Sequence, residues 1–164
     1  MIEMRYDMSV ERVREYLAGY GLEGGVREFT ESSATVELAA RALGVQEARI
    51  AKSLTFKDAD GGCIMIVAAG DVRIDNRKFK DEFGFKAKML TAQEALLLTG
   101  HAVGGVCPFA LPDGVRVFLD ISLKRFDTVF PACGSASSAI ELEPDELFRV
   151  SGAEKWVDIA KLAV

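Results

Sequence analysis

Residues 100–111 read Gly-His-Ala-Val-Gly-Gly-Val-Cys-Pro-Phe-Ala-Leu, an apolar run too rich in glycine to be a helix or a strand. The paired Gly104 and Gly105 let backbone N–H groups turn toward a ligand with no Cβ in the way, and Pro108 fixes the exit. A loop of this kind suits gripping something small through main-chain donors. Alone it reads as a tight structural connection. The weight shifts because a strand-like run upstream, Ile50-Ala51-Lys52-Ser53-Leu54-Thr55-Phe56, carries one embedded lysine. An ammonium in a half-buried strand is costly without a partner. A phosphate or a substrate carbonyl supplies one on the functional reading; a carboxylate such as Asp71 or Asp120 supplies it on the structural one.

Other chemistries find little support. Cys63, Cys107 and Cys133 are odd in number and far apart, so neither a disulfide framework nor a metal knuckle can be drawn. His101 is the only histidine, which leaves no spaced ligand cluster for zinc and no nucleophile-elbow motif to accompany a Ser-His-Asp triad. Neither a metal nor an organic cofactor is implied. The net charge of −5 argues against non-specific coating of nucleic acid, including DNA. Arg73, Arg77, Lys78, Lys80, Lys86 and Lys88 nevertheless cluster among Asp75, Asp81 and Glu82. Taken alone that cluster is a solvated helix face; with a nucleic-acid substrate, Arg77, Lys78 and Lys80 are the first candidates for phosphate contacts.

The elements that must position these residues follow from caps and periodicity. Ser9 is the expected cap of a helix over Val10, Val13, Tyr16 and Leu17, ended by Gly19 and Gly21. A short strand follows at 26–30, then a helix capped by Ser33, with Val36, Ala39, Ala40 and Leu43 on one face and Gly44 as its stop. Strand 50–56 and the continuous apolar run 63–69, joined by Asp58-Ala59-Asp60-Gly61-Gly62, predict an antiparallel hairpin with a central second strand. A polar helix at 76–83 and a short strand at 86–89 come next. Thr91-Ala92-Gln93-Glu94 is a capping box opening a helix through Leu98, which Gly100 ends at the glycine loop. Strands are expected at 115–119, 128–132 and 139–142, a helix from Pro144 over Leu147 and Val150, and an edge strand or final turn at 156–159.

This order predicts one α/β (α+β mixed) domain over 1–164, with a mixed sheet and flanking helices, not a doubly wound parallel sheet. No apolar run approaches the roughly 20 residues that span a bilayer, and the N-terminus has no secretory h-region, so a cytoplasmic protein with no membrane contact is expected.

Read together, several segments resemble a known family: Ala39-Ala40-Arg41-Ala42-Leu43-Gly44-Val45, Ile50-Ala51-Lys52-Ser53-Leu54, Gly70-Asp71-Val72-Arg73-Ile74-Asp75, Thr99-Gly100 with Gly104-Gly105-Val106-Cys107-Pro108, Asp120-Ile121-Ser122-Leu123, and Cys133-Gly134-Ser135. Their order and separations, over residues 9–159, are similar to the YbaK family, free-standing relatives of the editing domain inserted in bacterial prolyl-tRNA synthetases. The resemblance implies a compact YbaK-like domain around a curved, largely antiparallel sheet. It implies a deacylase acting in trans on the acceptor end of mischarged tRNA, often tRNA for proline, with prolyl-tRNA synthetase as a possible partner and a monomeric or weakly dimeric state. The family's signature lysine falls on Lys52, with Ser53 beside it. The amides of Gly104 and Gly105 would face the scissile carbonyl, and Gly134 with Ser135 matches a second pocket loop. An aminoacyl ester is already activated, so a hydroxyl of the terminal ribose could orient the attacking water.

The chain departs from the family at two points. Where relatives continue Pro-x-Gly, this sequence has Pro108-Phe109-Ala110, and Ala110 does not readily adopt a positive φ. His101 stands where relatives carry an apolar or aromatic residue, and reads as a pocket acid/base or as a packed or solvent-facing side chain. Val106, Cys107 and Pro108 are expected as pocket walls, together with Leu54, Ile66, Val103 and Phe109. Alanine, cysteine, serine, threonine and 2-aminobutyrate all remain as cargoes. Two rivals stand beside the enzyme: a module that binds aminoacyl-tRNA or protein without hydrolysis, and a hydrolase of free amino-acid esters.

Overall fold

A computed structural model describes residues 2–163, with side chains from Ser9 onward. Its centre is the hairpin of β2 (Ile50–Lys57) and β3 (Cys63–Ala69), in register from Ala51 opposite Ala69 to Lys57 opposite Cys63. Asp60 accepts the Gly62 N–H in the connecting turn, and Gly61 takes a φ of 89°. Every residue of β3 is buried. A strand covered on both faces must be apolar without alternation, which is why Cys63 to Ala69 reads as an unbroken hydrophobic run.

β3 pairs in parallel with β5 (Val115–Asp120), and β5 in parallel with β8 (Trp156–Val157). On the other side β2 pairs in parallel with β6 (Phe130–Pro131), giving the order β6-β2-β3-β5-β8. Two small antiparallel ladders complete the strands: β1 (Arg27–Glu28) with β7 (Ser138–Ala139), and β4 (Val72–Ile74) with β9 (Ala160–Leu162). The sheet is mixed, as expected, but in its five-stranded part only the hairpin is antiparallel. Parallel pairing needs a long crossover, and the chain between β3 and β5 provides one through two helices and the glycine loop.

The helices are α1 (Ile2–Ala18), α2 (Val36–Leu43), α3 (Asn76–Phe83), α4 (Ala92–Thr99) and α5 (Pro144–Ser151). Val10, Val13 and Leu17 of α1 and Leu147 and Val150 of α5 pack with Ala51, Met65, Val67, Val117 and Leu119 on one face of the sheet. Phe79 and Phe83 of α3 cover Phe56, Ile64, Ile66 and Phe118 on the other, the Phe83 and Phe118 rings meeting edge-on at 5.0 Å. Each such side chain removed from water contributes about 1.5–3 kcal/mol. α2 sits at the β2–β6 end, against Ile50 and Phe130.

Several boundaries differ from the sequence reading. Ser9 is inside α1, not at its cap, because the helix begins at Ile2. α2 is capped by Thr35, whose hydroxyl accepts the Leu38 N–H, and not by Ser33. Residues 86–88 form no strand; Met89 alone bridges to Phe56. The Thr91–Glu94 capping box is present, with Gly100 ending α4 at a φ of 79°.

Candidate functional site

The site begins with an interruption in strand pairing. On its outer edge β2 meets β6 only at Ile50 and Ala51. Further along, the Lys57 N–H donates to the Lys88 carbonyl at 2.8 Å and the Leu90 N–H to the Thr55 carbonyl at 3.0 Å. Between these points none of the described strands lies along the outer edge of residues 52–54. Thr55 and Lys57 turn their main-chain groups outward, so the two-residue period turns the N–H and C=O of Ser53 outward as well, into the gap.

A cavity of about 390 Å³ occupies this gap and straddles the strand edge. Lys52, Ser53, Leu54 and Thr55 form its floor, Ser33, Ala34, Thr35 and Val36 its wall at the start of α2, and Met89 to Ala92 its wall at the start of α4. Val103, Gly104 and Val106 close it from the glycine loop, and Phe130, Ala132, Ser138 and Ala139 complete it. Among the described residues, Lys52 is the only ionisable side chain in the lining.

Lys52 does not pair with a carboxylate among the described residues. Its ammonium donates to the carbonyls of Gly70, at 3.3 Å, and Val72, beyond the end of β3. Asp71 is taken by Arg125 in a two-pronged contact of 2.6 and 3.0 Å, and Asp120 accepts the N–H groups of Ser122 and Ile159. Burial lowers the Lys52 pKa from its ordinary value, partly opposed by the nearby charge of Asp71. The ammonium is held by neutral acceptors, which leaves its charge available to meet an anion or a polarised carbonyl.

The two glycines divide their work. Gly105 donates its N–H to the Ala102 carbonyl at 2.9 Å, so it is not an open donor, and it is buried behind the loop. It is a glycine for steric reasons: a Cβ there would lie 2.7 Å from the main chain of Gly134 and Ser135. Gly104, at a φ of 92°, does line the cavity. The N–H groups of Gly104 and Val106 have no hydrogen-bond acceptor among the described residues. The unpaired donors among the loop residues of the lining are therefore Val103, Gly104 and Val106, not the glycine pair.

The remaining candidates lie outside the lining. Cys107, His101 and Phe109 are fully buried, Pro108 is buried, and Ile66 faces α3 within the core. Burial pushes the Cys107 thiol up to about 12, which removes it as a nucleophile. Gly134 and Ser135 support the loop from behind: Ser135 Oγ donates to Ser138 Oγ at 2.9 Å, and a Cβ on Gly134 would lie 2.9 Å from the Ser9 carbonyl. Arg77, Lys78 and Lys80 are exposed on α3, away from the cavity, and Lys78 is engaged with Asp158 at 3.1 Å. The sequence reading missed Ser33 to Val36 and the start of α4. The surplus of hydroxyls in Ser32-Ser33-Ala34-Thr35, more than one cap requires, was the available signal.

His101 is a packed histidine that shapes the loop. Its Nε2 bonds the Phe109 carbonyl at 2.8 Å, and its Nδ1 lies 3.4 Å from Ser9 Oγ. The residue after Phe109, Ala110, is held at a φ of 54°, so the alanine does adopt the left-handed conformation that the sequence made unexpected. Holding an alanine there costs about 1–2 kcal/mol, offset by the buried Phe109 and its anchored carbonyl. Burial lowers the His101 pKa below the ordinary 6.5. With the folded value depressed, the unfolded chain binds the proton first as pH falls. Stability from this group is full above pH 6.5 and lost as pH drops below it toward the folded value. Urea unfolding across that window is expected to show the decline, and His101→Leu to lack it.

Fold and site together describe a mixed α/β domain with a cavity at a strand edge, lined by one lysine and by loop residues whose main-chain N–H groups are unpaired. Residues 30–150 match the aminoacyl-tRNA editing domain, and the chain belongs to that family. It is 54% identical over 154 residues to the uncharacterized protein YwhH of Bacillus subtilis, covering 94% of this chain and 98% of that one. It is 23% identical over 127 residues to EbsC of Enterococcus faecalis, named as a candidate Cys-tRNA(Pro)/Cys-tRNA(Cys) deacylase, with 77% of each chain covered. A solved structure described as a candidate trans-editing enzyme for prolyl-tRNA synthetase superposes with a TM-score of 0.84 at 30% identity, over 93% of this chain and 97% of that one. Among the described residues no helix is long and apolar enough to cross a membrane.

Proposed function

We propose that this chain is a trans-acting aminoacyl-tRNA deacylase. It hydrolyses the ester between a small non-cognate amino acid and the terminal adenosine of a tRNA, with tRNA for proline as the carrier. The observation that carries the reading is the meeting of Lys52 with the open N–H groups of Gly104 and Val106 at one cavity. The names of EbsC and of the superposed structure supply the link to proline.

The chemistry follows from what the lining has and lacks. Attack of water on the ester carbonyl places negative charge on its oxygen, and preorganised N–H donors stabilise that charge by roughly 3–4 kcal/mol per donor. Gly104 and Val106 fill this role, while Lys52 anchors the substrate from the floor of the cavity. Among the described residues the lining holds no carboxylate, imidazole or thiol, so the base is supplied by the substrate itself. The vicinal ribose hydroxyl orients the water; the water oxygen bonds to the carbonyl carbon, the C–O bond to the ribose breaks, and the departing ribose oxygen takes up the proton that the water gives up.

Single-turnover deacylation of tRNA for proline, charged in turn with alanine, cysteine, serine and 2-aminobutyrate, tests the proposal. Hydrolysis of at least one, dependent on Lys52, supports it. Bound but uncleaved tRNA makes the chain a binding module, and equal rates on free amino-acid esters make it a simple esterase. The exposed side of α3 gives a second expectation. Arg77→Ala with Lys80→Ala should flatten the slope of log affinity against log salt by about 0.9 for each phosphate no longer neutralised. Lys78→Ala should do less, because Asp158 already holds that ammonium. An unchanged slope places the RNA elsewhere.

A further inference from the structure

Among the described residues, two buried hydroxyls that lack any hydrogen-bond partner, Ser33 Oγ and Ser53 Oγ, belong to residues lining the same cavity. Ser33 is only 7% exposed. It stands free because Thr35 has taken the capping role two residues later. Its own N–H is bound to the Ala136 carbonyl at 2.6 Å, which fixes its place in the wall. Ser53 shares the sheet face of Ala51, which packs with the core on the glycine-loop side, so its hydroxyl projects there and not toward α3. Ser33 adjoins the same loop: a Cβ on Gly104 would lie 3.1 Å from the Cβ of Ala34.

Unpaired buried hydroxyls are unfavourable, and a serine in a cavity lining can turn its hydroxyl about χ1 to meet a polar group held there. Most of the other lining side chains are apolar or already hydrogen-bonded: Thr35 and Thr91 cap helices, and Ser138 Oγ is bound within its own loop. The main-chain edge at Ser53 is open to any aminoacyl group. The two hydroxyls are additional to it and can tell one side chain from another.

We propose that Ser33 and Ser53 form the side-chain subsite, and that the amino acid removed carries a small hydroxyl, as serine and threonine do. This rests on the deacylase reading above. A cargo hydroxyl both donates and accepts, so it satisfies one serine in each direction. Alanine, 2-aminobutyrate and the cognate proline would leave both serines unpaired. A purely apolar pocket separates cargoes differing by one methylene by only about 10–200-fold, whereas a site that hydrogen-bonds the substrate hydroxyl rejects the analogue lacking it far more strongly.

The test is single-turnover deacylation of seryl-, threonyl-, alanyl- and 2-aminobutyryl-tRNA for proline by the wild type, Ser33→Ala, Ser53→Ala and the double variant. The wild type is expected to favour the better of the two hydroxyl cargoes over 2-aminobutyrate by at least about 100-fold. The double variant is expected to lose that ratio, the hydroxyl cargo slowing far more than the alanyl ester. Its melting temperature should not fall below that of the wild type, since only unpaired hydroxyls are removed. Faster hydrolysis of alanyl or 2-aminobutyryl ester by the wild type overturns this assignment and leaves the deacylase reading intact. Equal loss of all cargoes in a folded double variant also overturns it. No hydrolysis of any ester by the wild type overturns both.

Discussion

Gly105→Ala is expected to lower the melting temperature by roughly 6–12 °C and to cut deacylation by about 100–1,000-fold. The new methyl would lie 2.7 Å from the carbonyl carbon and oxygen of Gly134 and from the Cα of Ser135. All three are main-chain atoms, so no side chain can swing aside. Nor can the second loop retreat, because Gly134 rests against α1, where its own Cβ would lie 2.9 Å from the Ser9 carbonyl. The serine knot of Ser135 and Ser138 ties that loop further. Overpacking of this kind costs about 3 kcal/mol, the upper part of the usual range. The strain is relieved only by moving the glycine loop, which carries the Gly104 and Val106 donors away from the place proposed for the substrate carbonyl. Gly104→Ala is the informative comparison. Its methyl would meet two other methyls at 3.1 and 3.2 Å, so the main cost there is the positive φ. Thermal melts of the two variants check the order, and a Gly105→Ala protein as stable as the wild type would refute the close packing.

The second large effect is expected at Lys52. Lys52→Met keeps the aliphatic stem and removes the charge. Its kcat/KM on mischarged tRNA should fall by about 100–1,000-fold, the scale on which removing one electrostatic stabiliser slows a reaction. Stability should change little, by about 1 kcal/mol, because only the hydrogen bonds to the Gly70 and Val72 carbonyls disappear. A lysine that merely pinned the turn after β3 would give the opposite pattern, with a large fall in melting temperature and kinetics that follow the folded fraction. Lys52→Arg is not expected to rescue, since a planar guanidinium is poorly shaped for the narrow seat between two carbonyls. Single-turnover kinetics beside a urea melt separate the cases.

Much of the scaffold was legible in the residues. The β2–β3 hairpin, the Thr91–Glu94 capping box and the glycine stops at Gly44 and Gly100 stand where spacing put them. Lys52 and Gly104 do reach one cavity. The errors concern what lies behind the loop. Cys107 and Pro108 look like pocket walls in a row of letters, but residues of an irregular loop face opposite ways, and these two face the core. Gly105 looks like a donor, yet its N–H closes a turn onto Ala102. Ser33 looks like a cap, and Thr35 wins that place because its side chain reaches the Leu38 N–H three residues on.

Sequence alone was sufficient for the elements, their caps and the family pattern, because caps and periodicity act between residues at most four apart. The cavity exists because no described strand comes to lie along the outer edge of residues 52–54, whose inner edge is paired with β3, and the state of Lys52 depends on carbonyls contributed from beyond that strand. Pairing partners, buried faces and unpaired hydroxyls depend on which segments distant along the chain meet, so folding had to bring those segments together before the site could be described.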